Sequence, residues 1–126
     1  MSNNLNTQAL DLLRHGAILL DMRTREEYCQ GHFKGALLVV TPPPPLNQRE
    51  MLILKDQLWW LLSTHTVNKY THIVIYCRKG FRTKIAKQVI QELGYRNVLA
   101  WGGVEEPHLR KIFANQALIC HHDPIS

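Results

Sequence analysis

Several things are missing from this sequence. No apolar run is long enough to span a bilayer, so no membrane-spanning helix is expected. The opening Met1-Ser2-Asn3-Asn4 has neither the basic nor the apolar segment of a secretory leader, which points to a cytoplasmic protein with no membrane partner. Cysteine is scarce. Three residues are an odd number and too few for a disulfide scaffold, which fits a reducing compartment and leaves a functional thiol to be considered. No internal repeat and no long linker divides the 126 residues, so a single domain over 1–126 is expected. Acidic residues are absent between Asp56 and Glu92, and Arg78, Lys79, Arg82, Lys84 and Lys87 crowd into that gap. Such a segment carries a positive local field and favours anionic partners. Its simplest reading is a solvated basic helix face. Aromatic platforms interleaved with these cations are also missing, so nucleic acid is not an expected partner.

What is present suits a packed core: 45% hydrophobic and 20% charged residues. Helical and strand patterns alternate along the chain. Thr7 to His15 has an apolar side (Ala9, Leu10, Leu12, Leu13) and a glycine stop at Gly16. The short apolar run Ala17–Leu20, ending at Asp21, reads as a buried strand. Thr24-Arg25-Glu26-Glu27 has the form of a capping box, so a helix starts there and ends near Gly31, with Cys29 buried in it. Gly35–Val40 reads as a second buried strand, and Pro42–Pro45 as a stiff, extended polyproline connector. Met51–Leu62 is expected to be a helix buried on most of its surface, with Trp59 and Trp60 packing in the core; the competing reading makes it a docking face. Ile73–Tyr76 is the clearest strand, and Arg82–Leu93 a strong helix pattern. A short strand over Asn97–Ala100, a tight turn at Gly102-Gly103 and a last helix from Pro107 towards Ala114 complete the chain. Strands separated by helices imply an α/β fold: a mostly parallel central sheet covered by helices on both faces.

Chemistry concentrates where the Ile73–Tyr76 strand meets the next helix. Cys77 ends the strand, Arg78-Lys79-Gly80-Phe81 bridges the gap, and Arg82 opens the helix. Open parallel sheets bind ligands at the C-terminal ends of their strands. A short strand-to-helix loop turns backbone N–H groups inward as an anion nest, and the helix N-terminus adds partial positive charge. A cysteine sulfur at that point is stabilised in its ionised, nucleophilic form by all three sources. The same donors would hold the charge of a substrate or covalent intermediate. No histidine base is needed. The bland reading, that Cys77 is merely a small buried hydrophobe, leaves the basic loop unexplained.

Cys77-Arg78-Lys79-Gly80-Phe81-Arg82 resembles the active-site loop of the rhodanese (thiosulfate sulfurtransferase) domain, in its single-domain form. Three further segments match in order. Leu19-Leu20-Asp21-Met22-Arg23 with Glu26-Glu27-Tyr28 resembles the family's D-x-R…E-[FY] segment, and Gly31-His32-Phe33-Lys34-Gly35-Ala36 its G-H-I-x-G-A segment. Gly94-Tyr95-Arg96-Asn97-Val98 through Trp101-Gly102-Gly103-Val104 resembles the closing G-[FY]-x-x-V…G-G-[VI] segment. The resemblance spans about residues 5–115 and leaves 116–126 as a C-terminal tail. It implies a rhodanese-like fold and a persulfide mechanism. Cys77 would take the outer sulfur of thiosulfate, expel sulfite, and pass the sulfur to cyanide or a thiol. The N–H groups from Arg78 to Arg82 would cradle the anionic sulfur. Arg78 and Lys79 would hold the sulfonate-like end, and Arg82 would add a cation at the loop's exit. Asp21 and Arg23 support the site, with a polar link from Arg23 to Glu27. His32 is a packing or hydrogen-bonding residue, and Trp101 packs below the glycines. No cofactor and no metal are implied. With one domain, the cleft is shallow and open unless a second copy, in a homodimer, closes it.

Other readings compete. A cysteine phosphatase or arsenate reductase uses Cys-x5-Arg, whereas Arg82 makes this Cys-x4-Arg, Thr83 follows, and no acid stands ready to protonate a leaving group. A persulfide carrier shares all the chemistry but hands its sulfur to a protein acceptor, for which Met51–Leu62 would be the docking face. A non-catalytic binding module is disfavoured by the intact nucleophile. Cys120 with His121, His122 and Asp123 forms an adjacent cluster not spaced for one metal geometry.

Overall fold

The computed structural model describes residues 2–120, with side chains from Asn4 onward. The chain runs α1 (Ser2–Arg14), β1 (Ile18–Asp21), α2 (Arg25–Gln30), β2 (Leu37–Leu38), α3 (Gln48–His65), β3 (Ile73–Cys77), α4 (Phe81–Glu92), β4 (Val98–Gly103) and α5 (Pro107–Gln116). The strands form one parallel sheet in the order β2-β1-β3-β4. The expected α/β architecture is present.

Alternation along β3 sorts the core. Ile73, Ile75 and Cys77 face the layer built by Leu54, Leu58 and Leu62 of α3 and Ala86, Val89 and Ile90 of α4. Val74 and Tyr76 face the other layer, with Ala9 of α1, Trp101 of β4 and Leu109 of α5. Both faces of the sheet are therefore covered, which is why its strands read as unbroken apolar runs. Each fully buried Leu or Ile contributes about 1.5–3 kcal/mol relative to exposure.

Five expectations need correction. The strand over Gly35–Val40 shrinks to Leu37–Leu38, because β2 is the sheet's edge and pairs only through Leu20↔Leu37 and Asp21↔Leu38. Beyond it, Val39 N–H still donates to Asp21 O and Thr41 N–H to Arg23 O. The Pro42–Pro45 run bends at residues 43–45, with a cis Pro44–Pro45 peptide, rather than continuing straight. Helix α3 is not buried on most of its surface. Leu54, Leu58 and Leu62 are buried, but Trp59 and Trp60 are 57% and 63% exposed, because they lie on the side of α3 away from the sheet. Gly102 and Gly103 are not a turn. They end β4, pairing with Tyr76 and Cys77, and the chain turns at Val104–Glu105 instead. The register slips there: Ile75 faces Ala100 but Tyr76 faces Gly102. The extra residue is Trp101, which is fully buried, stacks on Phe33 and donates its indole N–H to Asn6 Oδ1 at 2.9 Å.

The fifth correction concerns the cysteines. Cys29 is half-buried and joined to Cys120 in a disulfide with Cα atoms 4.6 Å apart. Leu118 and His32 form an antiparallel bridge beside it. Pairing over a separation of 91 residues is not visible in spacing, since a disulfide requires only that two Cα atoms meet. Cys77 is the free cysteine. His121, His122 and Asp123 lie outside the described residues.

Candidate active site

Sheet order places the site. The chain winds from β1 outward to β2, then returns to add β3 on the other side of β1. Ligands of open α/β sheets bind beyond the strand ends at such a reversal. Cys77 ends β3 there, beside β1, whose last residue Asp21 pairs with Tyr76.

Cys77 is fully buried as a residue, yet it lines a cleft of about 490 Å³. Its Sγ accepts the Gly80 N–H at 3.0 Å. Gly80 adopts φ 98°, a left-handed conformation that lets the chain fold back over the sulfur before α4 begins. Thr83 Oγ1 donates to Gly80 O at 2.7 Å and holds that turn. The N–H groups of Arg78, Lys79, Phe81 and Arg82 have no acceptor among the described residues. Helix starts leave such donors over, and a ligand can take them. The loop rests on β4: Val104 N–H donates to Cys77 O and Glu105 N–H to Arg78 O, both at 2.9 Å. A Cβ on Gly103 would stand 2.5 Å from the carbonyl carbons of Arg78 and Lys79, so only glycine admits the loop there.

The cleft walls come from segments whose role the sequence does not advertise. Thr24, Glu26 and Glu27 at the start of α2 line it, as do Pro43 and Pro44. The capping box is present in full. Thr24 Oγ1 accepts from Glu27 N–H at 3.2 Å, and Glu27 Oε1 from Thr24 N–H at 2.9 Å. It predicts the helix but not its position beside Cys77. Phe81 is exposed on the rim.

The sequence-selected residues divide. Arg78, Lys79, Phe81 and Arg82 line the cleft with Cys77, and Gly80 shapes the loop. Arg82 differs from expectation: it is not a free cation. It is buried, donating to both Glu27 carboxylate oxygens at 2.8 and 2.9 Å and to Thr41 O at 3.0 Å. Burial pushes the Glu27 carboxyl up, but the Arg82 guanidinium and the Thr24 N–H outweigh it and hold Glu27 at about 2. The link expected from Arg23 to Glu27 is absent. Arg23 instead clamps Asp21 through two bonds at 2.8 and 2.7 Å and donates to Gly31 O. Desolvation lowers the Arg23 guanidinium, but Asp21 more than compensates and leaves it above its ordinary range. Burial raises the neighbouring Tyr76 hydroxyl, and the Asp21 carboxylate raises it further. Asp21, Arg23 and His32 do not line the Cys77 cleft. His32 stacks on Tyr28, its ring Nδ1 2.8 Å from Tyr28 O.

The arrangement is a parallel α/β sheet with a free cysteine at the end of β3, its sulfur held under a strand-to-helix loop by the Gly80 N–H. Residues 5–106 match the family model described as the rhodanese-like domain, and the chain belongs to that family. It is 27% identical over 93 residues to thiosulfate sulfurtransferase PspE of Escherichia coli, covering 74% of this chain and 76% of that protein. It is 31% identical over 97 residues to thiosulfate sulfurtransferase 18 of Arabidopsis thaliana, covering 77% and 70%. The human single-domain sulfurtransferase TSTD1 superposes with a TM-score of 0.57 at 24% identity, over 77% of this chain and 85% of that one. Sulfur transfer is the class of chemistry that this family membership and these relatives support.

Proposed function

We propose that the protein transfers a sulfane sulfur from thiosulfate to cyanide or a thiol through a persulfide on Cys77. The observation that carries this reading is the Cys77 sulfur at the end of β3, receiving the Gly80 N–H at 3.0 Å beside unpaired loop amides. Thiosulfate is the donor named for the E. coli and Arabidopsis relatives.

In the first step the Cys77 thiolate attacks the outer sulfur of thiosulfate. A new S–S bond forms, the S–S bond of thiosulfate breaks, and its electron pair leaves with sulfite. The outer sulfur of the persulfide carries negative charge, and the N–H groups of Arg78, Lys79, Phe81 and Arg82 are donors for it. Lys79 and Arg78 supply charge for the sulfonate end. In the second step the acceptor's lone pair attacks that outer sulfur and the electrons of the broken bond restore the thiolate. Cyanide departs as thiocyanate, a thiol as its persulfide. Two half-reactions sharing one covalent intermediate give ping-pong kinetics.

Incubation with thiosulfate should add one sulfur by intact mass, and cyanide should remove it as thiocyanate. Cys77→Ser should lose both signals. Thiocyanate formed by Cys77→Ser at the wild-type rate would overturn the reading, and hydrolysis of an aryl phosphate would favour a phosphatase instead. A second reading, delivery to a protein acceptor, is favoured by the exposed Leu52, Ile53, Trp59 and Trp60 on α3. It would show as ready persulfide formation with poor turnover on cyanide.

A further inference from the structure

The basic loop of the sequence is nearly charge-balanced once folded. Arg82 is taken by Glu27. Arg78 Nε donates to Glu105 Oε2, and that hydrogen bond, then its charge, lifts the guanidinium above its ordinary range. Glu26 stands on the same cleft wall. Of the cations lining the cleft, Lys79 alone has no carboxylate partner among the described residues.

Arg78 occupies a ridge between two clefts. On one side is the Cys77 cleft; on the other is a hollow of about 350 Å³ lined in part by Glu105, Arg23 and Arg110. Glu105 belongs to that second hollow and draws the Arg78 guanidinium towards it. The two side chains are 52% and 47% exposed, so the pair is open to exchange. An anionic donor must therefore compete with a carboxylate already in place. The position of Glu105 does not depend on its side chain. Its N–H donates to Arg78 O at 2.9 Å, and its carbonyl accepts from Arg110 Nη2 at 2.8 Å.

We infer that Glu105 sets the donor selectivity of this site: by holding Arg78 it penalises a doubly charged sulfane donor and shifts preference towards singly charged ones. The inference rests on the persulfide reading, since Cys77 must accept the sulfur from either donor. A thiosulfonate, RSO2S⁻, is the matched comparison. The Cys77 thiolate attacks its outer sulfur, the S–S bond breaks, and the electron pair leaves with the sulfinate RSO2⁻. The persulfide formed is the same as from thiosulfate, but the donor carries one charge fewer.

The test compares thiosulfate with methanethiosulfonate in wild type and Glu105→Gln. Each unit of donor charge feels the lost carboxylate equally, so the fold-change for the dianion should be the square of that for the monoanion. Expected are a gain in kcat/KM of about four-fold for thiosulfate and about two-fold for methanethiosulfonate, carried by KM with kcat within about two-fold. The gap should close at about 0.5 M salt, as exposed charges are screened. Glu105→Ala should shift selectivity the same way. Equal changes for both donors, or an unchanged KM for thiosulfate in both variants, would overturn the inference while leaving the persulfide reading intact. Failure of wild type to form a Cys77 persulfide from either donor would overturn both.

Discussion

Glu27 serves two structures at once. Its carboxylate closes the capping box at the start of α2 and holds Arg82, in the first turn of α4 across the cleft. Its pairing is the reason the site has one fewer free cation than its sequence implies. Burial works against the charged form, but the partners prevail and the carboxyl sits at about 2 instead of 4.5. The sign is that of a depressed acid. Its stabilisation is fully present above pH 4.5 and is lost as pH falls towards 2. Glu27→Gln is expected to cost on the order of 2 kcal/mol at pH 7, discounted for partial exposure. That cost should shrink to near zero by pH 2, as read from urea unfolding across the range. A cost that stays constant with pH would show that the carboxylate contributes by shape and not by charge.

Between α4 and β4 the deciding feature is contact between backbones. The Cys77 loop lies on the end of β4, and Gly103 leaves no room for a side chain between them. Gly103→Ala would force the loop off its seat, costing about 1–3 kcal/mol as an overpacked contact does. Thiocyanate formation should fall at least about ten-fold as the Gly80 amide and the sulfur part. Retention of full activity would mean the loop holds its shape without β4. The elements here differ in how plainly the sequence announces them. β3 and α4 were legible to within a residue, because an unbroken β-branched run and a helical apolar period are local signals. The position of Cys77 was legible for the same reason, lying at their junction. Arg82 was not, because its partner stands 55 residues away on α2. Nor were the walls: Pro43, Pro44 and Glu26 carry no chemistry of their own and matter only through where the fold puts them. Trp59 and Trp60 look like core by composition, and only the direction of α3 against the sheet shows them outside.

Across the whole molecule, the Cys29–Cys120 bond closes most of the chain into one loop, with the Leu118–His32 bridge alongside. Closing so long a loop restricts the unfolded chain, typically by about 2–5 kcal/mol. Reduction should therefore lower the melting temperature, and Cys120→Ser should match the reduced protein. A melting temperature indifferent to both would show that the closure contributes nothing. The bond also separates the three sulfurs into two kinds. Cys77 is left as the sole mercaptan, so a thiol titration of the oxidised chain counts Cys77 one for one. Under the proposed persulfide chemistry, any dithiol offered as sulfur acceptor then has a second target: it would unload Cys77 and unfasten residue 120 from α2 in the same solution, making turnover and thermal resistance linked readouts of a single reagent.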